Sequence, residues 1–421
     1  MNEKTIELFE GITIHFINTK RFKTDFIAAF MFTDLNRNDV TKNALIPAIL
    51  TRGTENMPTM KDISVYLENS YGSVLDASSD KIGDNQALQF YVTAINGKYT
   101  FDNEDLLGHN IDLLCDVMLK PRLVNGVFDA EYVKQEKETL RELIKSKINN
   151  KGSYANYRCI EEMCKDEPYG LYKYGYDEDI DKITNEELYA QYKKILATSE
   201  IHIYVSGDVD EAKVLEQFKK HFENVSREYI ARKNINSTEV NDELRTVIEE
   251  QDVTQGKLVI GMRVSGCNLL DDMYPLLVYN AILGGTPSSK LFQNVREKAS
   301  LAYTTRSSYI KHKGVLLISS GIEIENYEKA LDLIKVQLQD MKDGKFSEED
   351  ITDAKVALEN AYRSYLDEQT AIINLYMGQH ILGNVEPIPQ IINNIQDVTK
   401  DEIVNVANKL EMELIYFLRN K

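Results

Sequence analysis

Histidine and cysteine, two of the usual zinc ligands in proteins, are scattered along this chain of 421 residues. No two of its histidines are close enough in sequence to form a paired ligand motif, and its cysteines form no C-x-x-C. We predict structural or surface histidines and buried or idle thiols. A zinc site assembled from distant residues is the alternative. The residues concerned are His15, His109, His202, His221, His312 and His380, with Cys115, Cys159, Cys164 and Cys267.

A more specific pattern lies in the second half of the chain, after the glycine pair Gly284-Gly285. The sequence continues as S-K-L-F at 289–292 and R-E-K at 296–298, and the pattern ends at Tyr303. This segment closely resembles one in the pitrilysin/insulinase family of zinc peptidases, where S-[RK]-L-[FY] and R-E-[KR] lead to a tyrosine. The resemblance covers nearly the whole chain and implies tandem α+β halves.

The same family carries an inverted zinc motif, H-x-x-E-H, usually followed within a few residues by Gly-Thr. Gly53 and Thr54 resemble that flank, and counting back places Ala44, Pro47 and Ala48 where the family has His, Glu and His. In the family motif the two imidazoles hold the zinc ion and the glutamate deprotonates its bound water. Two alanines and a proline do neither, so the resemblance implies that this motif has been lost.

The family's third zinc ligand is a glutamate on a later helix, in a setting that resembles residues 135–144. The alignment places the ligand position at Leu143, and a shift of one residue would place it at Glu142. Because one carboxylate alone does not hold zinc, we expect no metal in this chain in either case.

The resemblance also implies roles for Arg296 and Tyr303, which match the family's arginine and tyrosine. In the family these two side chains bind the substrate backbone and stabilise the oxyanion formed during peptide hydrolysis. A guanidinium offers fixed donors to a carbonyl, and a phenol donates to developing negative charge. The alternative is structural: a solvated helix arginine, an ordinary strand tyrosine, and a glycine pair that ends a helix at Leu283.

The elements that must position these residues follow from hydrophobic periodicity. Apolar runs at 12–17 and 26–32 flank a polar connection and predict antiparallel strands, and alternation over 88–94 predicts another strand. Apolar residues from 327 to 341 recur with a helical period, and Gly344 follows them. Strand pairs are therefore expected to alternate with long helices.

Internal repetition gives the domain organisation. T-x-x-E capping boxes at Thr184 and Thr399 each open a helix that leads into an apolar strand, at 201–205 and at 414–418. Phe128 and Phe346 each introduce a long charged helix. Their separation in sequence is nearly the same as that between Thr184 and Thr399. We predict a duplicated α+β fold whose mostly antiparallel sheets are covered by helices. Its expected parts are 1–225, a polar linker at 226–242, and 243–421.

Composition limits the partners. A formal net charge of -18 makes nucleic acid a poor partner, because phosphate binding relies on clustered Lys and Arg. No apolar stretch is long enough to span a bilayer, and the N-terminal residues do not resemble a secretory signal. We therefore expect a soluble, cytoplasmic protein.

In two-chain members of the family, one subunit carries the zinc motif and the other lacks it but supplies the arginine and tyrosine. This sequence resembles the second subunit. The resemblance implies a heterodimer with a zinc-bearing homologous subunit that acts on unfolded peptides, and a chain that is inactive alone. A pseudo-peptidase that binds peptides or scaffolds a complex is the main alternative. A solitary metallopeptidase would need ligands that the sequence does not reveal.

Overall fold

A computed structural model describes residues 3–232, 243–266 and 269–421. Cys267 and residues 233–242 of the predicted linker lie outside these ranges. The chain forms two compact units, each combining helices with a mostly antiparallel sheet, which confirms the predicted α+β fold. Within the described part of the chain, every helix is too short or too polar to cross a bilayer.

The two units do not follow the order of the chain throughout. Of the described residues, the first unit takes 3–146, 171–232 and 367–377, and the second takes the rest. Residues 147–170 thus precede the predicted linker but belong to the second unit. Residues 226–232 of that linker pack in the first unit, where Glu228 donates its backbone N–H to Ala197 O at 2.9 Å.

The first unit is built on a six-stranded sheet in the order β1-β2-β8-β3-β5-β4. Among the described residues of this sheet, only β2 and β8 pair in parallel, and β8 is buried along almost its whole length, as expected of a central strand. The strands are β1 (Lys4–Phe9), β2 (Ile12–Asn18), β3 (Thr24–Asp34), β4 (Val74–Ile82), β5 (Asn85–Ile95) and β8 (Glu200–Gly207), with a separate hairpin of β6 (Leu123–Val124) and β7 (Val127–Phe128).

Helices cover one face of this sheet around a continuous apolar core. They begin with α1, whose Leu45, Ile46 and Ile49 are buried in that core. The helices of this part of the chain are α1 (Val40–Leu50), α2 (Met60–Asn69), α3 (Leu106–Leu119), α4 (Ala130–Ser146), α5 (Lys151–Met163), α6 (Asp177–Ile180), α7 (Asn185–Thr198) and α8 (Glu211–Phe222), with 3₁₀ turns at Gly97–Tyr99 and Pro168–Gly170; α5 and the second turn belong to the second unit.

The second unit repeats this topology with five strands in the order β11-β12-β10-β13-β9. The parallel pair in the described part of this sheet, β13 with β9, corresponds to β8 with β2 in the first unit. In each sheet the last strand in sequence lies in the interior: β8 lies between β2 and β3, and β13 lies between β9 and β10. The strands are β9 (Arg245–Glu250), β10 (Gly256–Val264), β11 (Ala302–Ile310), β12 (Val315–Ile322) and β13 (Leu410–Arg419).

The helices of the second half include two π-helical turns, a rare form that is often found at functional sites. They are α9 (Met273–Asn280), the π turns Ala281–Gly285 and Phe292–Lys298, a 3₁₀ turn at Ile324–Asn326, α10 (Tyr327–Lys342), α11 (Glu348–Tyr365), α12 (Gln369–Leu382), α13 (Ile388–Asp397) and α14 (Lys400–Lys409).

The predicted repetition is confirmed by the helix starts. Thr184 and Thr399 form full capping boxes with Glu187 and Glu402, and the helices they open, α7 and α14, lead into β8 and β13. The long helices after the two phenylalanines are α4 and α11. These starts were visible in sequence because a capping box is a local hydrogen-bond pattern.

The first two apolar runs form strands that run in opposite directions, as predicted, but they do not pair with each other. Both runs are strands, β2 and β3, but β8 lies between them and pairs with each. Strand β8 is buried along almost its whole length, and its Ile201, Ile203 and Val205 belong to the apolar core, as expected of an interior strand.

The second face of each sheet is covered by a helical segment from the other half of the sequence. In the second unit Gly261 of β10 lets α5 approach closely, since a Cβ there would lie 2.6 Å from Met163 Sδ. In the first unit Gln369, at the start of α12, donates to Thr24 O at 3.1 Å and Ser206 O at 2.9 Å. This exchange of α5 and the start of α12 explains why the units depart from chain order.

A buried carboxylate makes the stability of the first unit depend on pH. Asp25 on β3 is 3% exposed, and Asn96 Nδ2 donates to its two oxygens at 2.9 and 2.8 Å. Burial raises its pKa to about 6, against the contributions of Asn96 and Lys98 and with that of Asp208. The folded state therefore binds more protons than the unfolded state between about pH 4 and 6, and its stability falls as pH rises through that range.

We expect Asp25→Asn to remove most of this pH dependence, because the amide keeps a hydrogen-bond acceptor for Asn96 and carries no charge to bury. The gain in the free energy of unfolding at pH 7 should be at most about 3 kcal/mol. Urea denaturation at pH 4 and pH 7 measures it, with exposed Asp102→Asn as the matched control. Equal pH slopes for wild type and Asp25→Asn would contradict the prediction.

Candidate functional site

Helix α1 places the three lost zinc-motif positions next to one another. Ala44 and Ala48 lie one turn apart and are partly buried, and Pro47 between them is fully buried. Pro47 has no N–H, so it cannot donate to the carbonyl of Asn43 one turn earlier. None of these three side chains carries a donor atom for a metal, and the helix therefore does not fit zinc.

Helix α4 packs against α1, and burial shows which of its residues face the interior. Its buried residues are Val133, Glu136 and Leu140, and the carboxylate of Glu136 pairs with Arg52, just after α1. Glu142 and Leu143 are exposed. The positions predicted for a third ligand thus lie at the surface of α4, and its buried carboxylate is neutralised by a guanidinium. Which position corresponds to the family's ligand stays a prediction.

Two histidines that are far apart in sequence do meet in the first unit. His15 Nε2 lies 2.8 Å from His202 Nδ1, on the neighbouring strands β2 and β8. His15 Nδ1 pairs with Glu3 at 2.7 Å, and His202 Nε2 pairs with Glu200 at 2.8 Å. All four ring nitrogens thus take part in hydrogen bonds, which favours the structural interpretation of these two residues. Period-two alternation on both strands was the sequence feature that could have placed them on one face.

In the second unit, the glycine pair allows close packing against β11. A Cβ on Gly284 would lie 2.5 Å from the backbone nitrogen of Ser307, so any larger residue would displace the strand. The helix does not end at Leu283, as the structural alternative supposed, but continues as a π turn to Gly285. Gly284 therefore sets the distance between this turn and β11, the strand that carries Tyr303.

Arg296 lies near the end of the second π turn and is available to a ligand. Its side chain is 41% exposed, its guanidinium carbon lies 4.5 Å from the centre of the Phe292 ring, and Nε is 3.6 Å from Glu297. The stacking orients the guanidinium without using its in-plane donors. This π turn packs against β11, so Arg296 and Tyr303 belong to one local structure.

Tyr303 occupies an irregular position in the edge strand β11. Ala302 pairs with Ile322 and Thr304 with Gly321, so Tyr303 is the extra residue of a β-bulge. Bulges redirect side chains and are frequent beside active sites. Ser300, just before the strand, has a φ of 52°, which is uncommon for a residue with a side chain. The bulge leaves the Tyr303 side chain 56% exposed.

The phenol of Tyr303 donates to Glu323, which follows the end of β12. This hydrogen bond, with the negative charge of Glu323 and of nearby Glu325, raises the pKa of Tyr303 above its ordinary value. The phenol is consequently held protonated and in one orientation. It can act as a hydrogen-bond donor but not as a base.

Comparison with known proteins identifies relatives over most of the chain. Residues 182–358 match the model of the "Peptidase M16 inactive domain" family. A "Probable inactive metalloprotease YmfF" of Bacillus subtilis (strain 168) is 38% identical over 97% of this chain and 96% of its own length. An "Uncharacterized zinc protease" of Rickettsia felis is 24% identical over 86% of this chain and 92% of its own length.

Solved structures share the fold over the full length. A conserved protein from Enterococcus faecalis V583 superposes with a TM-score of 0.92 and 28% identity, covering 100% of this chain and 99% of that one. A protease from Helicobacter pylori superposes with a TM-score of 0.78 and 18% identity, covering 99% of both chains. The chain belongs to the peptidase M16 family, the pitrilysin/insulinase family of metallopeptidases, and carries no zinc ligands at the predicted motif positions on α1.

Proposed function

We propose that this chain is the non-zinc-binding subunit of a cytoplasmic, heterodimeric zinc peptidase that processes or degrades unfolded peptides. The observation that carries the proposal is the exposed, protonated phenol of Tyr303 on a bulge, with Arg296 on the adjoining turn. A structural arginine and tyrosine would need neither the bulge nor the exposure. Their arrangement suits a carbonyl presented from outside this chain.

In such a pair, zinc held by the homologous partner subunit would supply the activated water. Within this chain, the guanidinium of Arg296 would donate to a backbone carbonyl of the substrate and fix its position. The phenol of Tyr303 would turn from Glu323 to the scissile carbonyl oxygen and donate to it as negative charge develops there. Glu323 would keep the phenol proton in place until that moment.

A second function is favoured by the residues of α1 and by the relative named as a probable inactive metalloprotease. A pseudo-peptidase would use Arg296 and Tyr303 to bind a peptide, or would serve as a scaffold, without hydrolysis. The two functions differ in one measurable respect, since only the first predicts turnover when a zinc-bearing homologue is added.

The test is hydrolysis of a quenched fluorescent peptide by this chain, by a zinc-bearing homologue from the same organism, and by an equimolar mixture. We expect the chain alone to be inactive and the mixture to exceed the homologue alone at least tenfold. An activity in the mixture equal to that of the homologue, despite complex formation by size-exclusion chromatography, would support the pseudo-peptidase instead.

A further inference from the structure

We propose that a cleft in the second unit binds the carboxylate of a peptide through Arg306 and Lys257. The cleft has a volume of about 310 Å³ and is formed by three adjacent strands and the start of α5. It lies beside the bulge of Tyr303 but does not include it. Its lining residues are Gly152, Asn156, Lys257, Leu258, Val259, Thr304, Thr305, Arg306, Ser319, Ser320 and Gly321.

Strand register places the two cations on one face of the sheet. Thr304 and Lys257 both pair with Gly321 of β12, and Arg306 pairs with Ser319, two residues earlier on the same strand. Directly paired residues point to the same face, and so do residues two apart on one strand. Arg306 on β11 and Lys257 on β10 therefore flank β12 and extend from the same face.

Gly321 keeps the floor of the cleft open. A Cβ at this position would lie 2.9 Å from Gln255 Oε1 and 3.0 Å from Thr304 Oγ1. Gly321 pairs with both Thr304 and Lys257, so any side chain at position 321 would occupy the space between these two residues. The glycine thus leaves a recess beside Lys257.

The charges in the cleft are uncompensated. Arg306 is exposed and makes no ion pair with any residue in the described ranges. Lys257 Nζ donates to the neutral side chain of Gln255, and burial lowers the pKa of this lysine. None of the lining residues in the described part of the chain is acidic, although the chain as a whole has a net charge of -18. A bound anion would stabilise the charged form of Lys257, which burial disfavours, and would pair with the guanidinium of Arg306.

The rim adds further polar groups suited to an anion. Asn150 caps α5 by accepting from Ser153 N at 3.0 Å, which leaves other N–H groups of the first turn available. The amino-terminal end of a helix carries partial positive charge. Asn156, one turn further along, accepts from Ser319 Oγ at 2.7 Å and connects the helix to the floor.

The chemistry of the cleft points to a carboxylate on a peptide, and this step rests on the proposed function. A planar guanidinium matches a carboxylate with two parallel hydrogen bonds. Arg306 is three residues from Tyr303 on one strand, so their Cα atoms lie about 10 Å apart. A peptide held at Tyr303 could therefore place its C-terminal carboxylate, or an acidic side chain, in the cleft.

The test measures binding to the isolated chain by fluorescence anisotropy, with no catalysis involved. Three labelled peptides of one sequence are compared: a free C-terminal acid, a C-terminal amide, and the amide with an aspartate near its end. We expect the free acid or the aspartate peptide to bind about tenfold more tightly than the plain amide. Arg306→Gln should remove that difference, and Lys257→Gln should reduce it.

Arg363→Gln on the exposed face of α11 is the matched control and should leave the difference intact. Preference for the free acid identifies a terminal carboxylate, and preference for the aspartate peptide identifies a side chain. Equal binding of all three peptides, or a difference that survives Arg306→Gln, would overturn the carboxylate cleft. That result would leave the proposed subunit function standing if the mixed peptidase still hydrolyses peptides.

Discussion

Replacing Tyr303 with phenylalanine is expected to lower kcat of the mixed peptidase about 10²–10³-fold, the usual loss on removing one oxyanion donor. The substitution deletes only the hydroxyl that donates to Glu323 in the resting structure. Because the hydrogen bond to substrate would form as negative charge develops, KM should change little. Steady-state hydrolysis of the quenched peptide by the mixture measures both constants.

Tyr309→Phe is the matched control, because it removes a phenol oxygen from the same strand, β11, away from the bulge. It should retain wild-type kcat. Glu323→Gln tests orientation separately, since it keeps an acceptor for the Tyr303 phenol but removes the negative charge that raises its pKa. We expect the alkaline limb of the pH–rate profile of this variant to move to lower pH. A full rate for Tyr303→Phe would show that the phenol does not take part in catalysis.

The features that could be predicted from sequence are those set by local physics. A capping box needs only a threonine and a glutamate three residues apart, so the starts of α7 and α14 could be located without knowing the fold. The helical period identified α10 in the same way, with Gly344 at a φ of 67° just beyond it. The duplication followed because these local patterns recur in the same order.

Strand order could not be predicted, because pairing depends on contacts between distant residues. Nothing in the sequence near β2 and β3 indicates that β8, far along the chain, will lie between them. The exchange of α5 is non-local in the same sense. Gly261 is required because Met163 of α5 packs against it. The sequence around Gly261 gives no sign that α5 will pack there.

The candidate site was predictable in part. The resemblance located Arg296 and Tyr303, but the bulge, the two π turns and the acceptor Glu323 depend on packing between the turn 292–298, β11 and β12. Arg306 and Lys257 are unremarkable in sequence, since each is a single cation in a strand. Only the register of three strands places them on the same face.

Removing Glu413 is expected to destabilise the second unit by about 3–5 kcal/mol, as for other buried ion pairs that lose one partner. Glu413 on β13 is fully buried, and both of its oxygens accept from Arg263 Nε, at 3.1 and 3.2 Å. Arg263 also pairs with Glu167 at 2.7 Å, and Glu167 pairs with Lys313 at 2.8 Å. Two carboxylates and two cations are therefore linked in one cluster inside the unit.

Glu413→Gln keeps a side chain of nearly the same size but removes its negative charge. The buried guanidinium of Arg263 then loses one of its carboxylate partners. Because Lys313 lies in the turn between β11 and β12, the loss should also loosen the hairpin that presents Tyr303. Urea denaturation measures the change, with Glu250→Gln as control, since its pair with Arg419 is exposed and contributes at most about 1 kcal/mol. If both variants shift the midpoint equally, the cluster does not stabilise the unit more than a surface pair does.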